Sequence, residues 1–143
     1  MVDSVARIKA AEALREFRDG QITNCDFEGL WPIYDRRDRG LHAIETIIWR
    51  FYDDLHEHRL TGEHGLSEES RFLFDRCVLF LHAEFEFGWP DDDFMQAGRS
   101  GGLTRLGLSD ATDPHLIGLH VDGDDPFWPF ASRREYEFAK SRQ

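Results

Sequence analysis

The chain has 143 residues, 41% hydrophobic and 13% aromatic, enough length for one domain with a real core and an aromatic supply that disordered chains lack. Its 28 acidic residues against 17 basic ones leave a formal net charge of -11. A surface of that sign disfavours nucleic acid and anionic membrane and favours a basic protein partner, besides serving solubility.

Only two cysteines occur, Cys25 and Cys77, too few for a disulfide framework. Cys77 sits in the apolar run CVLFL, where a thiol packs as a small hydrophobe. The N-terminal segment MVDSVARIKAAEALREF is interrupted by charges and has no apolar leader region. No run approaches the roughly 18 apolar residues of a membrane span. The expectation is a soluble, cytoplasmic protein of a reducing compartment, folded as a single domain over 1–143.

In chain order, residues 3–19 read as a first helix, capped by Asp3 or Ser4 and ended by Gly20. Ala6, Ala10, Ala13, Leu14 and Phe17 form its narrow seam. Asn24 is the expected cap of a short turn, CDFEGL, that stops at Trp31-Pro32 because a proline restricts the residue before it. The charged DRRDRG at 35–40 is a solvated connector. From Gly40 to Leu60 the apolar residues Leu41, Ile44, Ile48, Phe51 and Leu55 recur at helical spacing. Ile47 and Tyr52 broaden that face, and this helix is expected to be the one around which the others are arranged.

After the loop TGEHG, Ser67 caps a third helix with Glu68 and Glu69 at its positive end. It is apolar almost all round from Phe72 onward, as a helix sandwiched between others would be. Leu81, Ala83, Phe85, Phe87 and Trp89 also alternate at a strand period. Helix to about Glu86 with extended chain beyond it is the preferred reading. Residues 88–127 are loop-rich, and Ser132 then caps a last helix, SRREYEFAKSR. The predicted fold is all-α, an irregular bundle of three main helices plus a short C-terminal helix. The predicted core is Ile44, Ile48, Phe51, Leu55, Leu73, Cys77, Phe80 and Leu81, with Phe17 from the first helix.

No catalytic or cofactor motif stands out, so no catalytic residue, metal or cofactor is assigned and the chain is not read as an enzyme. Seven histidines yield only pairs, such as His42 with Glu45 or Asp53 with His56, where a di-iron bundle needs Glu-x-x-His on two helices plus further glutamates. DGDD at 122–125 lacks the EF-hand ladder, and GRSGG at 98–102 is not followed by Lys-Ser/Thr. Cys25 with a histidine is the remaining nucleophile pair that such a composition offers.

Two sharper features remain. Glu45, Trp49, Tyr52 and His56 lie at i, i+4, i+7 and i+11 along the border of the second long helix, a mixture of acid, base and aromatics found in pockets and interfaces alike. Glu84, if helical, would bury a carboxylate among Leu73, Cys77 and Phe80, with Arg76 as a candidate partner. Acidic clusters also sit beside aromatics: Asp53 and Asp54 next to Tyr52; Asp91, Asp92 and Asp93 after Trp89; and Asp122, Asp124 and Asp125 before Phe127 and Trp128.

The chain resembles small acidic helical bacterial proteins of uncharacterised function, among them immunity proteins of polymorphic toxin systems. The resemblance rests on size, charge and helices bounded by Trp-Pro (DFEGLWP, FEFGWP, PFWPF). It carries over no residue roles. It implies an interaction module binding a basic partner protein. The alternatives are a small-molecule pocket or enzyme lined by the Glu45 stripe, and an oligomeric scaffold subunit assembled through the aromatic helices.

Overall fold

A computed structural model describes residues 1–52, 55–89 and 125–143. They form five α-helices: α1 (Ser4–Arg18), α2 (Asn24–Leu30), α3 (Arg39–Ile48), α4 (Glu68–His82) and α5 (Arg133–Lys140). Single 3-10 turns occur at Trp49–Phe51, Gly62–His64 and Asp125–Phe127. There is no strand among the described residues, and the fold is all-α. No helix among them is long and apolar enough to cross a membrane.

α1 begins where Asp3 accepts a hydrogen bond from the Ala6 amide at 3.1 Å, and Gly20 follows it in the left-handed region at φ 68°. Its seam of Ala6, Ala10, Ala13, Leu14 and Phe17 is buried. Small side chains let the backbone approach closely, and α1 with α4 forms the most extensive helix pair of the bundle. This corrects the expectation that the 40–60 stretch is the centre.

That stretch is also shorter than its pattern implies. α3 stops at Ile48, one 3-10 turn follows, and Tyr52 is extended at φ -86° and ψ 137°. Leu55 is therefore 84% exposed and Phe51 only half-buried, although both continue the apolar spacing. Phe51 still meets Phe74 edge-on at 5.1 Å. The other predicted core residues, Phe17, Ile44, Ile48, Leu73, Cys77, Phe80 and Leu81, are all buried.

The reason for the early stop lies in α2. Thr23, not Asn24, is its cap, and Thr23 and Asp26 close a reciprocal capping box. Asn24 is itself buried and holds the 56–58 segment. Its Nδ2 donates to the His56 carbonyl at 3.1 Å, its Oδ1 accepts from the His58 amide at 2.8 Å, and its amide donates to the His58 carbonyl at 2.9 Å. A chain docked this way cannot continue as helix.

α4 starts at its Ser67 cap and ends at His82 with Ala83 as C-cap. Glu84 then takes a left-handed φ of 56° and is exposed, its Oε1 accepting from Ser4 Oγ at 2.8 Å. The buried-carboxylate reading of Glu84 is thus overturned, and the helix does not reach Glu86. Beyond it Phe87 and Trp89 are buried while Glu86 and Gly88 are exposed, so the period-two pattern describes extended chain. α5 follows its Ser132 cap as expected.

A buried ion pair ties the N-terminal half together. Arg7 and Asp38 have side chains 1% and 0% exposed, joined through Nε–Oδ2 and Nη2–Oδ1, both at 2.7 Å. Asp38 also accepts from the amides of Asp3 (2.9 Å) and Leu41 (3.2 Å), making it the cap of α3. Arg7 donates further to the Phe85 carbonyl and lies 5.0 Å over the Phe80 ring. The connector read as solvated therefore supplies an internal anchor.

Candidate functional site

The four residues of the predicted stripe do not share a helix face, because α3 ends between Glu45 and the other three. Glu45 turns to Tyr34, whose hydroxyl donates to Oε2 at 2.5 Å and lies 3.2 Å from His42 Nδ1. His42 Nδ1 and Glu45 Oε2 are 3.6 Å apart. Desolvation, the hydrogen bond to Glu45 and its charge raise the Tyr34 pKa well above the usual phenol range. Tyr34 is thus held as a hydrogen-bond donor to Glu45.

Trp49 and Tyr52 stack edge-on with centroids 4.8 Å apart. The Tyr52 hydroxyl donates to Glu28 Oε2 at 2.9 Å, linking the end of α3 to α2. His56 is exposed in the segment held by Asn24. The same docking brings Glu57 to α2, where its Oε1 accepts from Thr23 Oγ1 at 2.7 Å. Asp26, Glu28 and Glu57 consequently surround the exposed thiol of Cys25.

Local desolvation and the charges of Glu57, Glu28 and Asp26 raise the Cys25 pKa, opposed by a hydrogen bond with Tyr52. A thiol in that field is held away from the thiolate that nucleophilic chemistry needs. Asp26, by contrast, is shifted down by hydrogen bonds from the Thr23 amide and hydroxyl, so the rim stays anionic. Arg59 lies on the same side, and its Nη1 is given to the carbonyls of Gly20 and Gln21. At the end of α2 and just beyond it, Leu30 is 50% and Ile33 102% exposed.

Asp53, Asp54, Asp91, Asp92, Asp93, Asp122 and Asp124 lie outside the described residues, as does the GRSGG stretch. Asp125 opens the 3-10 turn that leads to Trp128. Trp128 is 1% exposed, and its carbonyl accepts from Arg76 Nε at 2.8 Å. Its ring belongs to the core and is no surface anchor. Among the described residues no three His, Cys, Asp or Glu side chains gather as a metal site would require.

Glu28, Glu57 and Asp26 were not among the sequence-predicted contacts. Thr23-x-x-Asp26 is a legible capping signal that would have started α2 correctly and put Glu28 on its outer face. Nothing in the local sequence signals the docking of Glu57.

The fold defines an all-α protein with an acidic rim and exposed aliphatic side chains. No protein-family model matches the chain, and no curated protein or solved structure does either.

Proposed function

We propose that this protein is an interaction module whose acidic rim binds a basic face of a partner protein, in the manner of an immunity protein or inhibitor. The observation that carries the reading is the junction of α2 with Tyr52 and residues 56–58. There Asp26, Glu28 and Glu57 gather around Cys25, and Leu30 and Ile33, which follow in the chain, are exposed. Exposed aliphatic anchors rimmed by one sign of charge fit an interface in which the anchors supply affinity and the charges steer encounter. The formal net charge of -11 has the same sign as this rim.

The pocket alternative has less support. Glu45 is bonded to Tyr34, whereas Trp49 and Tyr52 pack on each other, with the Tyr52 hydroxyl on Glu28. The test is capture of a partner from the cells that make the protein, followed by binding kinetics across a salt series. Association should slow as ionic strength rises past about 0.15 M, where the screening length is about 8 Å. Glu28→Lys with Glu57→Lys should lower the on-rate, and Ile33→Ala should raise the off-rate. An acidic partner, or an on-rate indifferent to salt, would refute the reading.

A further inference from the structure

On elements that share no residue with the acidic rim, the charge reverses. A cleft of about 410 Å³ opens between α1, α4 and α5. Arg15, Arg18, Arg76 and Lys140 line it together with the Asp75 side chain and the C-terminal Gln143. Four of the 17 basic residues of a strongly acidic chain thus converge on one groove. Arg15 and Arg18 are three apart on one face of α1, and Lys140 stands in the last turn of α5. A helix C-terminus favours cations, which accounts for each residue singly; it does not account for two such ends facing one cleft.

The four cations differ in how they are engaged. Arg18 is paired to Asp75 and Asp19 at 2.5 and 2.9 Å. Arg76 is buried, bonded to the Trp128 carbonyl and 4.9 Å over the Phe72 ring, so it contributes fixed positive charge. Arg15 and Lys140 have no acidic partner among the described residues. Arg15 Nη2 instead lies 3.3 Å from His82 Nε2, and desolvation with the Arg15 charge outweighs Glu12 in lowering the His82 pKa. Lys140 Nζ lies 5.9 Å from the Tyr136 ring. The walls between the charges are apolar or aromatic, from Val78, Leu79 and Tyr136. A second cleft of about 260 Å³ shares Leu79 and Gln143 with the first and continues past Phe85 and Phe138.

We propose that this cleft binds an organic phosphate, with the anionic group between Arg15 and Lys140 and an aromatic or aliphatic body against Leu79 and Tyr136. Guanidinium and ammonium groups with open donors are the usual phosphate ligands, and the apolar wall adds affinity that an inorganic ion cannot use.

The experiment is an NMR titration of the full chain at low salt with phenyl phosphate, inorganic phosphate and phenol in separate arms. Phenyl phosphate should bind more tightly than inorganic phosphate and phenol not at all, with shifts concentrated at Arg15, His82, Tyr136 and Lys140. Arg15→Gln with Lys140→Gln should weaken phenyl phosphate about tenfold or more, the loss of charged hydrogen bonds. Both side chains are exposed, so the fold should survive, and an unchanged amide spectrum checks it. No saturable shift with phenyl phosphate, equal binding by the double variant, or shifts confined to other surfaces would overturn the proposal. Preference for a poly-glutamate peptide over phenyl phosphate would overturn it too, in favour of a protein-binding groove. The Glu28 and Glu57 variants leave this cleft untouched, so the two proposals fail separately.

Discussion

Replacing Asp38 by alanine removes the acceptor of four hydrogen bonds at once: two from Arg7, one each from the Asp3 and Leu41 amides. Arg7 keeps its bond to the Phe85 carbonyl, but its guanidinium stays in a site where the side chain is 1% exposed. Breaking a buried pair by deleting one partner costs about 3–5 kcal/mol, because the surviving charge is left uncompensated. Against a total of about 5–15 kcal/mol, Asp38→Ala should be among the most damaging single changes. With a urea slope of about 2 kcal/mol/M, the denaturation midpoint should fall by about 2 M. In a double-mutant cycle with Arg7→Met, the two changes together should cost clearly less than their sum.

The pH dependence gives an independent handle. Burial pushes the Asp38 carboxyl up, but the Arg7 hydrogen bonds, the two amides and the Arg7 charge together pull it below the ordinary value. A depressed folded pKa means the stabilisation is complete above the unfolded value of about 3.9 and is lost as pH falls through the folded one. The gap between wild type and Asp38→Ala should therefore be constant near neutrality and close in acid. A midpoint shift under about 0.5 M at pH 7 with an unchanged slope, or a gap that widens as the pH falls, would refute the reasoning.

Gly40→Ala should cost about 1–3 kcal/mol by urea unfolding, since its Cβ would sit 2.7 Å from the Phe80 ring and 2.9 Å from Arg7 Nη2. Leu55→Ala should stay within about 0.5 kcal/mol of wild type, while Leu73→Ala, at a buried position, should lose about 2–5 kcal/mol. Trp128→Ala should destabilise by about 3–5 kcal/mol as a loss of core, readable as a lowered melting temperature. Glu84→Gly should raise the melting temperature slightly, because the left-handed φ of 56° disfavours a side chain by about 1 kcal/mol, more than its exposed bond to Ser4 returns.

Local chemistry determined much of the fold by itself. The Asp3, Ser67 and Ser132 caps, the left-handed Gly20 and the alanine seam of α1 are interactions among residues a few positions apart, so the sequence displays them. Burial of Phe17, Ile44, Leu73 and Phe80 follows from helical periodicity in the same way. Where helices end was decided elsewhere. The apolar spacing runs on from α3 to Leu55, yet Asn24 hydrogen-bonds residues 56 and 58 from across the chain and Leu55 lies in solvent. The candidate sites were hidden for the same reason. Arg7 and Asp38 are 31 residues apart, Thr23 and Glu57 are 34 apart, and Arg18 and Asp75 are 57 apart. Such pairs have no periodic signature, and only the packing of α1 against α4, with α2 and α5 alongside, brings their charges within hydrogen-bond reach.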